Sequence, residues 1–268
     1  MTQNDLPQQS APDLGGLIER ARAADGQPPF SDQALVDLRT GERELLVLGA
    51  ATAILSATEA EFVVEPEARG HGQGTAMLEA LITRFPSGLL VWAHGDHPAA
   101  RALAASHGLV ATRELLQLRA QVTPHDGGHF DHFVPGRDEQ AWVEVNARAF
   151  AGHPEQGSVT VGDLEQLEVE AWFAADDFLV AREGAAIVGY CWLKVDEGEG
   201  EIYVLGVDPS HQGEGLGRRL LEAGLARLGS RGIRSALLYV EAENSSALAL
   251  YRSLGFATHS VDVQYRLS

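Results

Sequence analysis

Residues 212–217 read Gln-Gly-Glu-Gly-Leu-Gly, and this stretch decides the fold. It follows a strand-like pattern at residues 201–207 and opens a helix-like pattern that extends to about residue 228. Glycines in such a turn let the backbone adopt positive φ and let a ligand approach without meeting a Cβ atom. Backbone N–H groups at a helix N-terminus attract anions, so the stretch predicts a phosphate or pyrophosphate site.

A related stretch occurs earlier in the chain. Residues 69–74 read Arg-Gly-His-Gly-Gln-Gly and fall on residues 212–217 with an offset of 143. Further along, an offset of 147 aligns three pairs of identical residues, which are Gly108 with Gly255, Gln117 with Gln264 and Arg119 with Arg266. A repeat of this length indicates a duplicated domain, and the slip between the two offsets fits a difference in one loop.

Each copy reads as strand, glycine-rich turn, helix, strand, helix and final strand, which predicts an α/β unit with a mixed sheet. The segment between the copies is rich in Gly, Pro, His and Asp, as linkers are. We therefore predict an N-terminal domain at residues 1–122, a linker at residues 123–136 and a C-terminal domain at residues 137–268.

Composition limits the possible partners. The 268 residues include 38 acidic and 20 basic side chains, a formal charge of −18 that would repel nucleic acid. Apolar stretches are shorter than the ~20 residues of a spanning helix, and the polar N-terminus does not resemble a signal peptide, so we expect a cytoplasmic protein without a membrane partner. The single cysteine, Cys191, lies in an apolar strand pattern and is expected to be a buried structural thiol.

A dinucleotide-binding site is the first alternative for the glycine-rich turn. Such a site places its turn after the first strand of a parallel βαβ unit, with an acidic residue about 20 positions further on. Here the turn at residues 212–217 lies deep in its domain, after a hairpin pattern at residues 178–195. A nicotinamide cofactor is therefore the less favoured interpretation of the turn.

The turn is followed by a strand, by Asn244, and by a helix that contains Tyr251 and ends at Gly255-Phe256. This order resembles the GNAT superfamily of acetyltransferases, and both copies follow it. The resemblance implies two tandem GNAT domains of α/β class, each a mixed, mostly antiparallel sheet flanked by helices. It also implies acetyl-CoA as the acetyl donor, a small-molecule amine as acceptor, and no metal.

Narrower matches lie in the second copy. They are His-Pro-Glu-Gln-Gly at residues 153–157, Trp-Leu-Lys at 192–194, Glu-Ile-Tyr-Val at 201–204 and Leu-Tyr-Val at 238–240. These resemble a tandem branch of the superfamily that acetylates the cysteinyl amine of cysteinyl-glucosaminyl-inositol. Since fusion of two GNAT units replaces the pairing that single units gain by dimerising, we expect a monomer.

The resemblance also implies which residues hold the coenzyme. The backbone of residues 205–207 would pair with the pantetheine arm as an added strand, the turn would cradle the pyrophosphate, and the start of the following helix would flank the rest. The implied set is Leu205, Gly206, Val207, Gln212, Gly213, Glu214, Gly215, Leu216, Gly217, Arg218, Asn244, Ser245, Ser246, Ala247, Leu248 and Ala249.

Two residues are implied for the chemistry. Tyr251 lies seven residues after Asn244, two helical turns on and on nearly the same face, where a phenol could protonate the departing thiolate. An α-amino group has a pKa of about 8 and needs only a modest base, for which Glu201 matches the superfamily's position. The implied acceptor contacts are Asp32, Glu155, Lys194, Glu201 and Tyr239.

The first copy keeps the turn but has Ala104 where the second has Tyr251. We therefore expect the N-terminal domain to bind acetyl-CoA through Phe62, Val63 and Val64 without turnover, or to serve a purely structural role. Two other functions stay open for the whole chain: a GNAT enzyme for another small amine or a peptide N-terminus, and an acetyl-CoA sensor. A sensor needs neither the base nor the acid, so their presence argues against it.

Overall fold

The computed structural model describes residues 13–123, 127–153, 156–196 and 198–267. The first part of the chain forms α1 (Leu14–Asp25), α2 (Asp32–Thr40), β1 (Glu44–Leu48), β2 (Ala51–Leu55), β3 (Glu59–Val64), α3 (Gln73–Arg84), β4 (Leu90–Ala93), α4 (Pro98–Ser106) and β5 (Leu109–Gln121).

The second part of the chain repeats this order after one added strand, β6. It forms β6 (Asp131–His132), α5 (Glu139–Ala149), α6 (Val161–Glu168), β7 (Phe178–Glu183), β8 (Ala186–Asp196), β9 (Glu199–Val207), α7 (Leu216–Ser230), β10 (Ser235–Glu241), α8 (Ser245–Ser253) and β11 (Ala257–Leu267). The strand, turn, helix, strand, helix, strand order of the sequence prediction is present in both parts.

Residue contacts divide the chain into two compact units. The first comprises the described residues of Met1–Leu116, Glu241–Glu243 and Ser260–Ser268, and the second those of Gln117–Val240 and Asn244–His259. This division differs from a single cut between residues 122 and 137, because the last strand of each copy pairs outside its own copy. Residues 260–268, which the sequence assigns to the C-terminal domain, belong to the first unit.

The first unit contains strands in the order β1-β2-β3-β4-β11-β5. The β1–β2, β2–β3 and β4–β11 pairs are antiparallel, and β3–β4 is parallel. The apolar stripe of α3, formed by Met77, Leu78 and Leu81, is fully buried in the core cluster with Ala53 of β2. Burial of this one helix face fixes α3 on the sheet.

The second unit contains strands in the order β5-β10-β9-β8-β7-β6. Its β9–β10 pair is parallel, whereas β6–β7, β7–β8 and β8–β9 are antiparallel. Helix α7 packs on β8 and β9 through its apolar side. An aromatic cluster that includes Trp142, Phe178, Tyr190 and Trp192 is buried under α5. The predicted fold class, with mixed, mostly antiparallel sheets flanked by helices, is confirmed.

Part of the predicted linker is ordered structure. Residues Asp131 and His132 form β6 against β7, and the ring of Phe133 stacks on Phe178 with centroids 4.5 Å apart. Burial of the Phe133 ring, which is 1% exposed, attaches this segment to the second unit. Residues 124–126, in the middle of the predicted linker, lie outside the described residues.

The first unit holds a buried histidine between two carboxylates. In His94, Nε2 lies 3.0 Å from Glu61 Oε2 and Nδ1 lies 3.1 Å from Asp262 Oδ2. Glu61 also accepts a 2.6 Å hydrogen bond from the Ser31 amide. Burial lowers the pKa of His94, but the hydrogen bonds and charges of Asp262 and Glu61 outweigh it and raise this pKa to about 10. The histidine is therefore a cation at neutral pH.

The unfolding free energy is expected to fall more steeply with rising pH in the wild-type protein than in a His94→Gln variant. The pKa of about 10 in the folded protein exceeds the ordinary histidine value of 6.5, so the cation stabilises the fold fully below pH 6.5. This stabilisation is lost as the pH rises through 10. At pH 6.5 the variant should be less stable by about 3 kcal/mol, because two buried carboxylates lose their cation. Urea unfolding across pH measures both effects, and equal slopes would contradict the charged state.

Candidate active site

Strands β9 and β10 separate soon after they begin. Among the described residues, their parallel register pairs Gly200 with Ala236 and Glu201 with Leu237, and it goes no further. On its other side β9 stays paired with β8 as far as Val207. The last part of β9 therefore presents a backbone edge that β10 does not occupy, next to the glycine-rich turn. Such an edge can accept an extended ligand as an added strand.

A β-bulge accompanies this separation. Trp192 pairs with Val204 and Leu193 pairs with Ile202, so Tyr203 is an extra residue in β9. A bulge bends its strand and increases the local twist. The bend lies immediately after the last β9–β10 pair at Glu201, so it directs the rest of β9 away from β10.

Gly206 lies against a buried tyrosine. A Cβ atom on Gly206 would stand 2.6 Å from the hydroxyl oxygen of Tyr190. That hydroxyl donates a 2.6 Å hydrogen bond to Asn146 Oδ1, and Asn146 Nδ2 donates a 2.6 Å hydrogen bond to the carbonyl of Gln156. The predicted coenzyme strand thus rests on a hydrogen-bonded core, and only glycine fits at this point.

The glycine-rich turn has the backbone that an anion site requires. Gly213 and Gly215 adopt φ of +80° and +78°, values that favour glycine. Gly215 caps α7 without a side-chain hydrogen bond, so no side chain occupies the helix start. Gln212 Nε2 donates to the Val207 carbonyl at 3.2 Å and ties the turn to the end of β9. The positive end of the α7 dipole therefore adjoins the open strand edge.

Helix α8 contacts the first turn of α7. Asn244 caps α8 by accepting a 3.1 Å hydrogen bond from the Ala247 amide. Arg218, in the first turn of α7, donates a 2.8 Å hydrogen bond to Ser253 Oγ at the end of α8. This contact joins the two helices whose N-termini carry the predicted coenzyme residues.

Tyr251 is a buried phenol on α8. Its side chain packs against Phe256, with ring centroids 5.9 Å apart, and the residue is 8% exposed. Burial, and to a smaller extent the neighbouring Cys191 thiol, raises the pKa of Tyr251 above its usual value of 10. The phenol therefore keeps its proton at neutral pH and can donate it. Cys191 itself is fully buried and burial raises its pKa to about 12, which confirms the structural thiol.

The predicted acceptor residues of the second unit share one face of its sheet. Glu201 pairs with Lys194 of β8 and with Leu237 of β10, and Tyr239 lies two residues along β10. The opposite face at Gly200 packs on Leu228 and Ile233 at the end of α7, since a Cβ there would approach both within 3 Å. Side chains alternate along a strand, so Glu201 points away from α7.

The other two predicted acceptor residues are Asp32 and Glu155. Asp32 is exposed in the first turn of α2, where Ser31 is the N-cap, and belongs to the first unit. Glu155 lies outside the described residues. The acceptor role of either residue stays a prediction.

The structure adds two polar residues that the site prediction missed. Gln117 donates a 2.7 Å hydrogen bond to the Tyr239 hydroxyl, and Arg119 Nε donates a 3.2 Å hydrogen bond to Gln117 Oε1. Both belong to the second unit. Their identity with Gln264 and Arg266 in the internal repeat was the available signal, but the sequence did not indicate which strand they join.

The first unit repeats the strand opening and the glycine-rich turn of the second. Its β3–β4 register stops at Glu61, before Phe62, Val63 and Val64, and Gly70 and Gly72 adopt φ of +76° and +79°. Ala104 stands at the position of the phenol.

Glu59 of the first unit occupies a position that corresponds to that of Glu201, and its carboxylate contacts three donors. Glu59, which pairs with Leu90 at the start of the parallel register, accepts hydrogen bonds from Trp92 Nε1 and Gln264 Nε2, both at 3.0 Å. It also forms a 3.1 Å ion pair with Arg43. These three contacts hold the Glu59 carboxylate on donors of its own unit. This arrangement supports the prediction of a non-catalytic first domain.

Comparison with known proteins identifies acetyltransferases as relatives of this chain. The acetyltransferase (GNAT) family model matches residues 144–256. Mycothiol acetyltransferase of Kocuria rhizophila is 43% identical, covering 95% of this chain and 95% of the relative. Mycothiol acetyltransferase of Clavibacter sepedonicus is 46% identical, covering 93% of this chain and 90% of the relative.

Solved structures share the fold at lower identity. A GCN5-related N-acetyltransferase from Sphaerobacter thermophilus superposes with a TM-score of 0.73 at 24% identity, over 95% of this chain and 91% of that one. A tandem GNAT protein from the clavulanic acid biosynthesis pathway gives a TM-score of 0.68 at 16% identity, over 95% of this chain and 94% of that one.

The residues that match the GNAT family model include the open strand edge and the glycine-capped start of α7. With its relatives, this match shows that the protein is a GNAT acetyltransferase, an enzyme class that takes its acetyl group from acetyl-CoA. The relatives narrow the class further. With 43% and 46% identity over more than nine-tenths of its length, the chain belongs to the mycothiol acetyltransferase family. No helix in the described ranges has both the length and the apolar character needed to cross a membrane.

Replacing Gly206 with alanine is expected to lower the unfolding free energy by about 1–3 kcal/mol, because the new methyl group overpacks the Tyr190 hydroxyl. Gly217→Ala is the matched control. Its Cβ would lie 3.5 Å from the Val207 side chain, an ordinary contact, inside a helix that favours alanine by up to about 1 kcal/mol. Thermal or urea unfolding compares the two variants, and equal stabilities would contradict the close packing of β9 on Tyr190.

Proposed function

We propose that the protein transfers the acetyl group of acetyl-CoA to the cysteinyl amine of cysteinyl-glucosaminyl-inositol and so forms mycothiol. The observation that carries this proposal is the separation of β9 from β10 directly after Glu201, next to an open helix start. The names of the relatives supply the product, and the sequence resemblance supplies the acceptor.

Acetyl-CoA is proposed to enter along the open edge of β9. The pantetheine arm would pair with the backbone of Leu205, Gly206 and Val207, and its pyrophosphate would meet the amides of residues 212–218. Two features support this placement: the positive φ angles that turn these amides toward one side, and the α7 dipole. The start of α8, residues 244–249, flanks the remaining part of the coenzyme.

The proposed reaction is direct transfer. The acceptor nitrogen attacks the thioester carbonyl, a C–N bond forms, and the C–S bond breaks to release the CoA thiolate. Glu201 takes the proton that the amine loses, directly or through a water molecule, and Tyr251 gives its proton to the thiolate. Tyr251 carries its proton at neutral pH, as this second role requires.

The N-terminal domain is proposed to bind acetyl-CoA without turnover. Its open β3 edge and glycine-rich turn support binding. The engagement of Glu59 and the presence of Ala104 argue against catalysis. The protein is further proposed to act as a monomer on a small-molecule amine, with domains close to residues 1–122 and 137–268.

Incubation with acetyl-CoA and cysteinyl-glucosaminyl-inositol tests the proposal. Mass spectrometry should find one added acetyl group, and thiol titration should find the cysteinyl thiol intact, which locates the acetyl group on nitrogen. Free cysteine and peptides with free N-termini serve as competing acceptors. Acetylation of a competitor in preference to the cysteinyl pseudo-disaccharide would assign another amine, and binding of acetyl-CoA with no acetylation would favour a sensor.

Tyr251→Phe is expected to lower kcat by about 10²- to 10⁴-fold, because the leaving thiolate loses its proton donor. The KM for acetyl-CoA should change little, since the ring and its packing on Phe256 are kept. Tyr265→Phe is the matched control, because that phenol donates to Asp96 in the first unit and should leave kcat unchanged. An unchanged kcat for Tyr251→Phe, with the chemical step limiting, would remove this residue from the mechanism.

A further inference from the structure

A small cleft lies at the beginning of β9 and β10, at the opposite end of these strands from the glycine-rich turn. Its volume is about 360 Å³, and its described lining includes Arg119, Glu199, Arg234, Ser235 and Leu237. A volume of this order lies at the lower end of the range for small-molecule sites. All of these residues belong to the second unit.

The cleft opens on the same sheet face as the proposed base. Leu237 lines the cleft and is the register partner of Glu201. Glu199 precedes Glu201 by two residues, and Ser235 precedes Leu237 by two, so alternation places all four side chains on one face. The other face is covered at this level by Leu228 and Ile233, which pack on Gly200.

The proposed position of the coenzyme leaves the start of β9 open to the rest of the acceptor. Acetyl-CoA is proposed to lie along the last part of β9, beyond Glu201, so an acceptor whose amine lies at Glu201 has room toward the start of the strand. Two strand residues, from Glu201 to Glu199, span about 7 Å, which is close to the width of one six-membered ring. The cleft lining continues past Glu199 to Gly198 and Gly232, so it extends beyond a first ring to the place of a second one.

The polar groups of the cleft suit hydroxyl ligands. Arg119 Nη1 lies 3.6 Å from Glu199 Oε1. Arg119 Nε donates a hydrogen bond to Gln117 Oε1, and Gln117 Nε2 donates one to the Tyr239 hydroxyl. Arg119 offers only donors and Glu199 offers only acceptors, whereas a sugar or cyclitol hydroxyl needs one of each. The Ser235 hydroxyl, which donates to the Ala120 carbonyl at 3.4 Å, adds an oxygen that can accept.

We propose that this cleft binds the polyhydroxylated ring at the far end of the acceptor, and that Arg119 and Glu199 determine specificity for it. The proposal rests on the proposed function, since it places the acceptor amine at Glu201. Gln117 is a positioning residue, because its side chain forms hydrogen bonds with both Arg119 and Tyr239. Acceptors without the ring end bind through fewer groups and therefore bind more weakly.

Steady-state kinetics test the proposal, because loss of a ring contact should raise the KM for the acceptor and leave kcat unchanged. Arg119→Ala and Glu199→Gln are each expected to raise the KM for cysteinyl-glucosaminyl-inositol by about tenfold, the value of one charge-assisted hydrogen bond. In both variants kcat, the KM for acetyl-CoA and the melting temperature should stay at their wild-type values. Arg22→Ala, which removes an exposed arginine of α1 in the first unit, is the matched control and should change none of them.

Calorimetry with glucosaminyl-inositol, which lacks the cysteinyl amine, separates this proposal from the proposed function. The wild-type protein should bind this probe, and Arg119→Ala should bind it about tenfold more weakly. Unchanged KM and unchanged probe binding in both variants would overturn the proposal, as would an equal loss of kcat and thermal stability. If the wild-type protein binds the probe but acetylates no cysteinyl acceptor, the proposed function fails while the cleft assignment stands.

Discussion

The separation of β9 from β10 after two residue pairs is the constraint on which the site depends. Continued pairing would consume the backbone edge at residues 205–207 and leave no room for a pantetheine arm. The bulge at Tyr203 turns β9 away at this point, and Gly206 lets the strand settle against Tyr190. Glu201 stands at the last β9–β10 pair, on the sheet face away from α7, and the buried phenol of Tyr251 lies on α8.

The duplication allows the same scaffold to be compared in the two units. The first unit has the same strand opening and the same positive-φ glycines, so its backbone meets the requirements of a coenzyme site. Its β3 has a regular register with β2, its carboxylate Glu59 accepts from three donors, and Ala104 replaces the phenol. The scaffold is set by glycines and strand order, whereas the chemistry depends on a few side chains that the scaffold tolerates losing.

Sequence periodicity was sufficient for the order of the elements and for the buried state of Cys191, because each depends on local pattern. It did not predict the bulge at Tyr203, since a bulge is defined by register against another strand. For the same reason it did not indicate that β11 pairs with β4, and it gave no role to Gln117, whose partner Tyr239 lies 122 positions away. Pairing partners are chosen by tertiary structure, which a single strand's alternation does not encode.

Hydrogen exchange at the amides of residues 203–207, measured with and without acetyl-CoA, tests the central claim most directly. If the pantetheine arm adds to the open edge of β9, acetyl-CoA should slow exchange at these amides and at those of residues 213–218, because they gain hydrogen-bond partners. Slowed exchange in the turn alone would leave the pyrophosphate site in place and reject the strand edge. Unchanged exchange in both segments, at a concentration where acetyl-CoA is bound, would contradict the account of the second unit as the site of acetyl transfer.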